Sequence, residues 1–141
     1  MVTEQQMIKI LEEFLKAWNS HDANQITQFF SENCLYEEGA LGVANHGKQQ
    51  LKSYLEILFH DFPDFSLVMK DNLCNNERAA YEGTWSGTFT NSTMPGMAPA
   101  TGKKVTIPFG GFVETEKGKI SRLSSYWDLV SFLKQAGLMP G

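Results

Sequence analysis

The chain has 141 residues and a formal net charge of −4 at pH 7. A chain of this length is typical of a single domain and can bury a substantial hydrophobic core. Its 12 Lys and Arg residues form no basic cluster that could follow a row of phosphates, which argues against nucleic acid as a partner. We therefore expect one domain over residues 1–141 and a function other than nucleic-acid binding.

Neither a membrane segment nor an export signal is recognisable in the sequence. No run of about 18 apolar residues could span a bilayer. The N-terminus also lacks the apolar stretch of a signal peptide. We therefore expect a soluble, cytoplasmic protein that does not engage a membrane.

Three helices are predicted in the first half of the chain. Thr3 and Gln6 have capping-box spacing, and apolar residues follow at helical spacing as far as Asn19. Asp22 is placed to cap a second, short helix, "ANQITQFF". A third helix is indicated by "KQQLKSYLEILFHDFP" and ends at Pro63.

In the second half of the chain the hydrophobic period changes from that of a helix to that of a strand. A short strand is already expected in "CLYEEGALGVANHG", and "NSTMPGMAPATG" is expected to be a connection without regular structure. A short last helix is predicted to end at Gly137. Helices followed by antiparallel strands indicate an α+β fold, with the helices packed on a curved sheet. The four later strands are "FSLVMKDNLC", "RAAYEGTWSGTFT", "KKVTIPFGGFVETE" and "KISRLSSYWD".

Three acidic residues in predicted strands are candidates for a ligand site. Asp128 lies within "SSYWDLVSFL", and strand alternation puts it on the same face as Arg122 and Tyr126. Either Asp128 caps the last helix, which the local sequence favours, or its charge is used by a ligand site. Glu37 and Glu38 follow an aromatic residue at a strand end; one of them could face a cavity, although two exposed carboxylates are the simpler interpretation.

Glycine alternates with aromatic residues on one face of the predicted strand "RAAYEGTWSGTFT". Small residues between aromatic ones leave room for a ligand against the sheet, but glycine in a strand also marks bends, and both interpretations stay open. Pro108 cannot donate a ladder hydrogen bond, which indicates an edge or a bulge in its strand. In the strand before it, the face on which glycine and aromatic residues alternate consists of Tyr81, Gly83, Trp85, Gly87 and Phe89.

No metal or cofactor site is predicted. His21, His46 and His60 lie far apart without metal-ligand spacing, and we expect them at the solvated surface. Cys34 and Cys74 lack the spacing of a zinc or redox site, so two buried free thiols are expected. The sequence contains no phosphate loop, dinucleotide fingerprint or nucleophile motif.

Several stretches, in order and over almost the whole chain, resemble the SnoaL-like polyketide cyclases of the nuclear transport factor 2-like superfamily. The resemblance implies a cone-shaped α+β barrel, in which helices close over a strongly curved antiparallel sheet, commonly in a homodimer. It also implies that Asp128 is the catalytic acid/base. The stretches are "FLKAWNSHDANQITQFFSENCLYEE", "HGKQQLKSYLEILFHDFPDFSL", "GTWSGTFT", "PATGKKVTI", "KGKISRL" and "YWDLVSFLKQAGLMP".

The expected function is that of such a cyclase, which closes a ring by intramolecular aldol condensation. A carboxylate in apolar surroundings can act as the base without a metal ion. The expected ligand is a small apolar or polycyclic ketone-like molecule. Candidate substrate-binding residues are Trp18, Tyr36, Tyr54, Trp85, Phe89, Phe109 and Tyr126.

Two alternatives come from other functional classes. One is a non-catalytic module that binds a small molecule or forms a dimer, and the other is proton transfer of the ketosteroid isomerase type. Many members of the family have a histidine where this chain has Phe89, so a polar group is missing from this part of the pocket. That difference favours the binding module.

Overall fold

The structure is a computed structural model that describes residues 2–93, 96 and 98–141. These residues form four helices and six strands. The predicted α+β class is confirmed. The elements are α1 (Glu4–Asn19), α2 (Ala23–Thr27), β1 (Phe30–Glu38), β2 (Val43–His46), α3 (Gly47–Asp61), β3 (Ser66–Cys74), β4 (Arg78–Thr88), β5 (Lys104–Glu116), β6 (Lys119–Trp127) and α4 (Leu129–Gln135).

The helix ends follow the capping residues of the sequence. Thr3 and Gln6 form the reciprocal capping box of α1, and Asp22 accepts hydrogen bonds from the first turn of α2. The predicted second helix is too long, because α2 ends at Thr27 and Phe30 already begins β1. A short apolar run has no period that separates a strand from a helix.

The strands form one curved, unclosed sheet in the order β2-β1-β6-β5-β4-β3. The prediction of an antiparallel sheet is wrong for one pair of strands, because β1 pairs with β6 in parallel. Helix α1 packs against β3, α3 against β1 and β2, and α4 against β5. The hydrophobic core therefore lies between the helices and the concave face of the sheet.

Glycines in β4 permit close contacts inside the sheet rather than room for a ligand. A Cβ atom on Gly83 would lie 2.2 Å from the carbonyl oxygen of Val68 on the neighbouring strand. A Cβ atom on Gly87 would lie 3.2 Å from the side chain of Phe62, which packs over it. These contacts support the interpretation that the glycines serve the shape of the sheet, and not the interpretation that they leave room for a ligand.

Pro108 lies where β5 has only one neighbour. It pairs with Thr84 of β4, whereas the pairing of β5 with β6 begins one residue later, at Phe109 and Trp127. Its missing N–H therefore faces a local edge of the sheet, as predicted.

The connection between β4 and β5 is fixed to the end of α3. The buried carboxylate of Asp61 accepts hydrogen bonds from the backbone N–H of Thr93 at 3.1 Å and from its hydroxyl at 2.6 Å. The side-chain amide of Asn91 donates to the carbonyl of His60. Residues 91–93 and 98–103 belong to no helix or strand, as predicted, and the prediction for residues 94, 95 and 97 lies outside the described residues.

Surface and thiol predictions are confirmed in part. Cys34 is a buried free thiol, but Cys74 is half-buried. His46 and His60 are exposed, whereas His21 is half-buried because its ring stacks on Phe59. Within the described residues, no helix has the length and apolar character needed to cross a membrane.

Candidate active site

A cavity lies between the helices and the concave face of the sheet. The volume inside it that the centre of a water-sized sphere can reach is about 90 Å³. Most of its wall is aromatic or aliphatic. The lining residues are Leu11, Phe14, Leu15, Trp18, Tyr36, Glu38, Leu41, Tyr54, Leu58, Phe62, Phe65, Leu67, Met69, Tyr81, Trp85, Phe109, Val113, Leu123, Ser125, Trp127 and Phe132.

Five of the seven predicted substrate-binding residues line this cavity. Three of their rings lie in a row, with centroids 6.3 Å apart for Trp18 and Tyr36 and 5.7 Å apart for Tyr36 and Tyr54. The ring of Trp85 lies 5.5 Å from that of Trp127, which also lines the cavity. The five are Trp18, Tyr36, Tyr54, Trp85 and Phe109.

The acidic side chain in this cavity is Glu38. Alternation along β1 turns Tyr36 and Glu38 to the concave face and Glu37 to the outer face. Only 5% of Glu38 is exposed. The hydroxyl of Tyr36 donates to its Oε2 atom at 3.4 Å, whereas its Oε1 atom has no hydrogen-bond partner among the described residues.

Burial raises the pKa of Glu38 from its ordinary value of 4.5 to about 8. Desolvation is the cause, since a carboxylate loses its hydration in apolar surroundings. The side chains of Trp127 and Tyr36 are hydrogen-bond donors beside the carboxylate and act in the opposite direction, but the effect of burial is larger. The group therefore changes protonation near neutral pH.

Three tyrosines surround this carboxyl group. The pKa values of Tyr36, Tyr54 and Tyr81 are all raised, first by burial and then by the charge of Glu38. Their phenols thus stay protonated near neutral pH. The hydroxyl of Tyr81 donates to the carbonyl of Ser124 at 3.2 Å, whereas that of Tyr54 has no such partner among the described residues.

Asp128 lies outside this cavity. It is the N-cap of α4, where its carboxylate accepts hydrogen bonds from the backbone N–H of Val130 at 3.0 Å and the hydroxyl of Ser131 at 2.9 Å. The side chain is exposed, and the Ser131 and Val130 hydrogen bonds lower its pKa. The capping interpretation is confirmed; the catalytic role that the resemblance implies for Asp128 stays a prediction.

Tyr126 and Phe89 also lie outside the cavity. Tyr126 is 50% exposed on the outer face of β6, because the face that includes Ser125 and Trp127 is the concave one. Phe89 is fully buried beyond the cavity, where its ring stacks on Phe62 at 5.6 Å. The absence of a histidine at Phe89 therefore removes no polar group from the cavity wall.

The sequence did carry a signal for Glu38. Tyr36 was predicted to line the pocket, and residues two apart in a strand share a face, so Glu38 belonged with it. For β6, the sequence favours the face that Asp128 would share with Tyr126. Asp128, however, follows the strand and caps α4. The other face contributes Leu123, Ser125 and Trp127 to the cavity.

The cavity combines one buried carboxyl group with neutral donors and contains no basic side chain among its described lining residues. Such a carboxyl group can take a proton from an acidic carbon and return it, and phenols beside it can stabilise a negative oxygen. The described residues bring no three His, Cys, Asp or Glu side chains together in a way that could hold a metal ion.

Comparison with known proteins identifies the family of this chain. The sequence profile of the SnoaL-like polyketide cyclases matches residues 8–136. The chain belongs to this family. No curated protein matches it significantly.

Solved structures share the fold of this SnoaL-like chain. A protein from Jannaschia sp. CCS1 described as a SnoaL-like polyketide cyclase superposes with a TM-score of 0.83 at 14% identity, over 98% of this chain and 96% of that one. A protein from Pseudomonas putida KT2440 described as a polyketide cyclase gives 0.79 at 21% identity, over 96% and 98%. A nuclear transport factor 2-like protein from Burkholderia pseudomallei K96243 gives 0.78 at 14% identity, over 93% and 97%. These likenesses establish the fold.

Proposed function

We propose that this SnoaL-like chain is a cyclase-type enzyme that uses Glu38 as a metal-free acid/base for an intramolecular aldol condensation. The observation that carries the proposal is the position of Glu38 in an aromatic cavity, as a buried carboxyl group with a pKa of about 8 and one oxygen that has no hydrogen-bond partner among the described residues. A general base is most effective when its pKa lies near the working pH.

The reaction needs one group that first accepts and then donates a proton. The Glu38 carboxylate removes a proton from a carbon flanked by carbonyl groups, which leaves an enolate. The enolate carbon attacks another carbonyl of the same molecule and forms the new carbon–carbon bond. The resulting alkoxide takes the proton back from the Glu38 carboxylic acid, so the carboxylate is restored and no proton is gained or lost overall.

The tyrosines support the enolate. Tyr36 and Tyr81 already donate to protein oxygens, but the Tyr54 hydroxyl has no hydrogen-bond partner in the described part of the chain and would donate to the enolate oxygen. A fixed donor of this kind, in a site that excludes water, stabilises developing negative charge more strongly than water does. The aromatic walls would hold the substrate in a folded, reactive conformation.

A second candidate function is proton transfer of the ketosteroid isomerase type. The same Glu38 and the same Tyr54 would move a proton along an unsaturated ketone without forming a ring. The observation that favours it is the phenol of Tyr54, which feels the charge of Glu38 and has no hydrogen-bond partner within the described residues. The two reactions differ in product, since one gives a new ring and the other a shifted double bond.

The test replaces Glu38 with Gln, which keeps the shape and removes the base. We expect turnover of a cyclisable linear polyketone to fall by about 10²–10⁴-fold. Glu37→Gln is the matched control, because Glu37 is the neighbouring residue on the outer face, and it should retain turnover. Product analysis by mass spectrometry and NMR, with an unsaturated ketone as a second substrate, separates cyclase from isomerase. Wild-type turnover in Glu38→Gln would contradict the proposal.

A further inference from the structure

Four of the aromatic rings that share the cavity with Glu38 are of the electron-rich kind. Tyr36 donates to the carboxyl group and Trp127 lies beside it, while Tyr54 and Tyr81 are close enough for the charge of Glu38 to change their pKa values. A positive group over the face of a Trp or Tyr ring is attracted to the ring. A carboxylate that shares an apolar cavity with four such rings has the composition of a site for an organic cation.

The charge of Glu38 has no counter-charge among the described residues that line the cavity. Oε1 of Glu38 has no hydrogen-bond partner among the described residues, and no Lys, Arg or His belongs to the described lining of the cavity. A buried carboxylate without a counter-charge is costly. A ligand that brings a positive charge would remove this cost.

We propose that the cavity binds small organic cations with a methylated ammonium group, with Glu38 as the counter-charge and Tyr36, Tyr54, Tyr81 and Trp127 as the surrounding rings. A quaternary ammonium suits the site better than a primary one, because three N–H donors would need acceptors that a mostly apolar wall does not supply. Methyl groups instead pack against the rings.

This binding is independent of the proposed reaction. It needs the charge of Glu38 and the faces of the rings, but no proton transfer. A chain that turns over no ketone would still bind the cation, and a chain that fails to bind the cation could still be a cyclase.

The affinity for an organic cation should depend on pH through the ionisation of Glu38. The titratable residues that face Glu38 are Tyr36 from β1, Tyr54 from α3 and Tyr81 from β4, and their raised pKa values keep them neutral below pH 9. Trp18 and Trp127, from α1 and β6, carry no titratable group. A permanent cation should therefore bind more tightly as the carboxyl group of Glu38 ionises.

The experiment uses the tryptophans of the chain as reporters. All three, Trp18, Trp85 and Trp127, line the cavity, so a bound ligand should change the tryptophan fluorescence. The probes are choline and 3,3-dimethyl-1-butanol, an uncharged molecule of the same shape. We expect choline to bind up to about 100-fold more tightly at pH 9 than at pH 6, because the ionised fraction of a carboxyl group with a pKa of about 8 rises by nearly that factor, and the uncharged probe to bind equally at both.

Variants then assign the effect to Glu38. Glu38→Gln should bind choline no better than 3,3-dimethyl-1-butanol, whereas Glu37→Gln should keep the preference for choline. Circular dichroism checks that each variant is folded. If the wild-type protein binds the two probes equally at pH 9, or if folded Glu38→Gln keeps the preference for choline, the proposal is overturned. The wild-type comparison decides by itself if Glu38→Gln does not fold.

Discussion

Glu37 and Glu38 are adjacent in β1, yet their carboxyl groups lie on opposite faces of the sheet and their pKa values are shifted in opposite directions. Glu37 accepts hydrogen bonds from Ser124 Oγ and Arg122 Nε, each at 2.9 Å, which lowers its pKa. Glu38 faces the apolar cavity, where burial raises its pKa to about 8. One strand thus carries a carboxylate that stays ionised and a carboxyl group that can exchange protons near neutral pH.

The first prediction concerns the pH dependence of turnover. If the ionised form of Glu38 is the base, kcat/KM should rise about tenfold per pH unit between pH 5 and 7 and level off near pH 8. Steady-state kinetics in buffers of constant ionic strength measure this profile. A profile that is flat across this range would show that Glu38 does not titrate in the reaction.

The second prediction concerns stability. The pKa of Glu38 is 4.5 in an ordinary environment and about 8 in the folded protein, so between these values the folded state binds more protons than the unfolded state. Ionisation of Glu38 should therefore reduce stability as pH rises from 5 to 8, by roughly 4 kcal/mol at most. Urea unfolding at several pH values measures this change.

Glu38→Gln is the control for the stability prediction. The Gln side chain does not titrate, so the difference in stability between the variant and the wild type should grow in favour of the variant as pH rises. A constant difference between pH 5 and pH 8 would mean that the pKa of Glu38 is not raised by folding.

The third prediction concerns Asp128, which caps α4. Asp128→Ala should lower the melting temperature by a few degrees, since it removes the cap, but should leave turnover unchanged. Asn is also a good cap, so Asp128→Asn should change neither quantity. A large loss of turnover in Asp128→Asn, at unchanged melting temperature, would instead support the catalytic role implied by family resemblance.

The fourth prediction concerns Phe89, which is fully buried against Phe62 and Phe132. Phe89→His should lower the free energy of unfolding by about 2–4 kcal/mol, because it removes apolar contacts and buries a polar ring. Phe89→Leu, the apolar control, should cost less. Equal stability of the two variants in urea unfolding would contradict the account of Phe89 as a core residue.

Most of the secondary structure could be predicted because its signals are local. The capping residues Thr3, Asp22 and Asp128 mark the starts of three helices, and alternation marks β3 to β6. The parallel pairing of β1 with β6 was missed, since it joins Glu38 to Ser125 across most of the chain. Pairing over such a distance leaves no pattern in the neighbouring residues.

The site was predicted only in part for a related reason. The alternation of side chains along a strand predicts that Tyr36 and Glu38 lie on the same face of the sheet. The arrangement of the helices decides which face of the sheet is concave. Asp128 stood out because a charge among aromatic residues is unusual, yet a helix cap explains it. The pKa of Glu38 depends on the surrounding burial, which the sequence of β1 does not contain.

The central claim is that the carboxyl group of Glu38 is buried in the cavity and titrates near neutral pH. The most direct measurement is the pKa of this group, read from the ¹³C chemical shift of the side-chain carboxyl in protein labelled at glutamate. The signal of Glu38 is assigned by its loss in Glu38→Gln, with Glu37→Gln as the matched control. We predict a pKa near 8 for Glu38 and one below 4.5 for Glu37. A pKa near 4.5 for Glu38 would contradict the account.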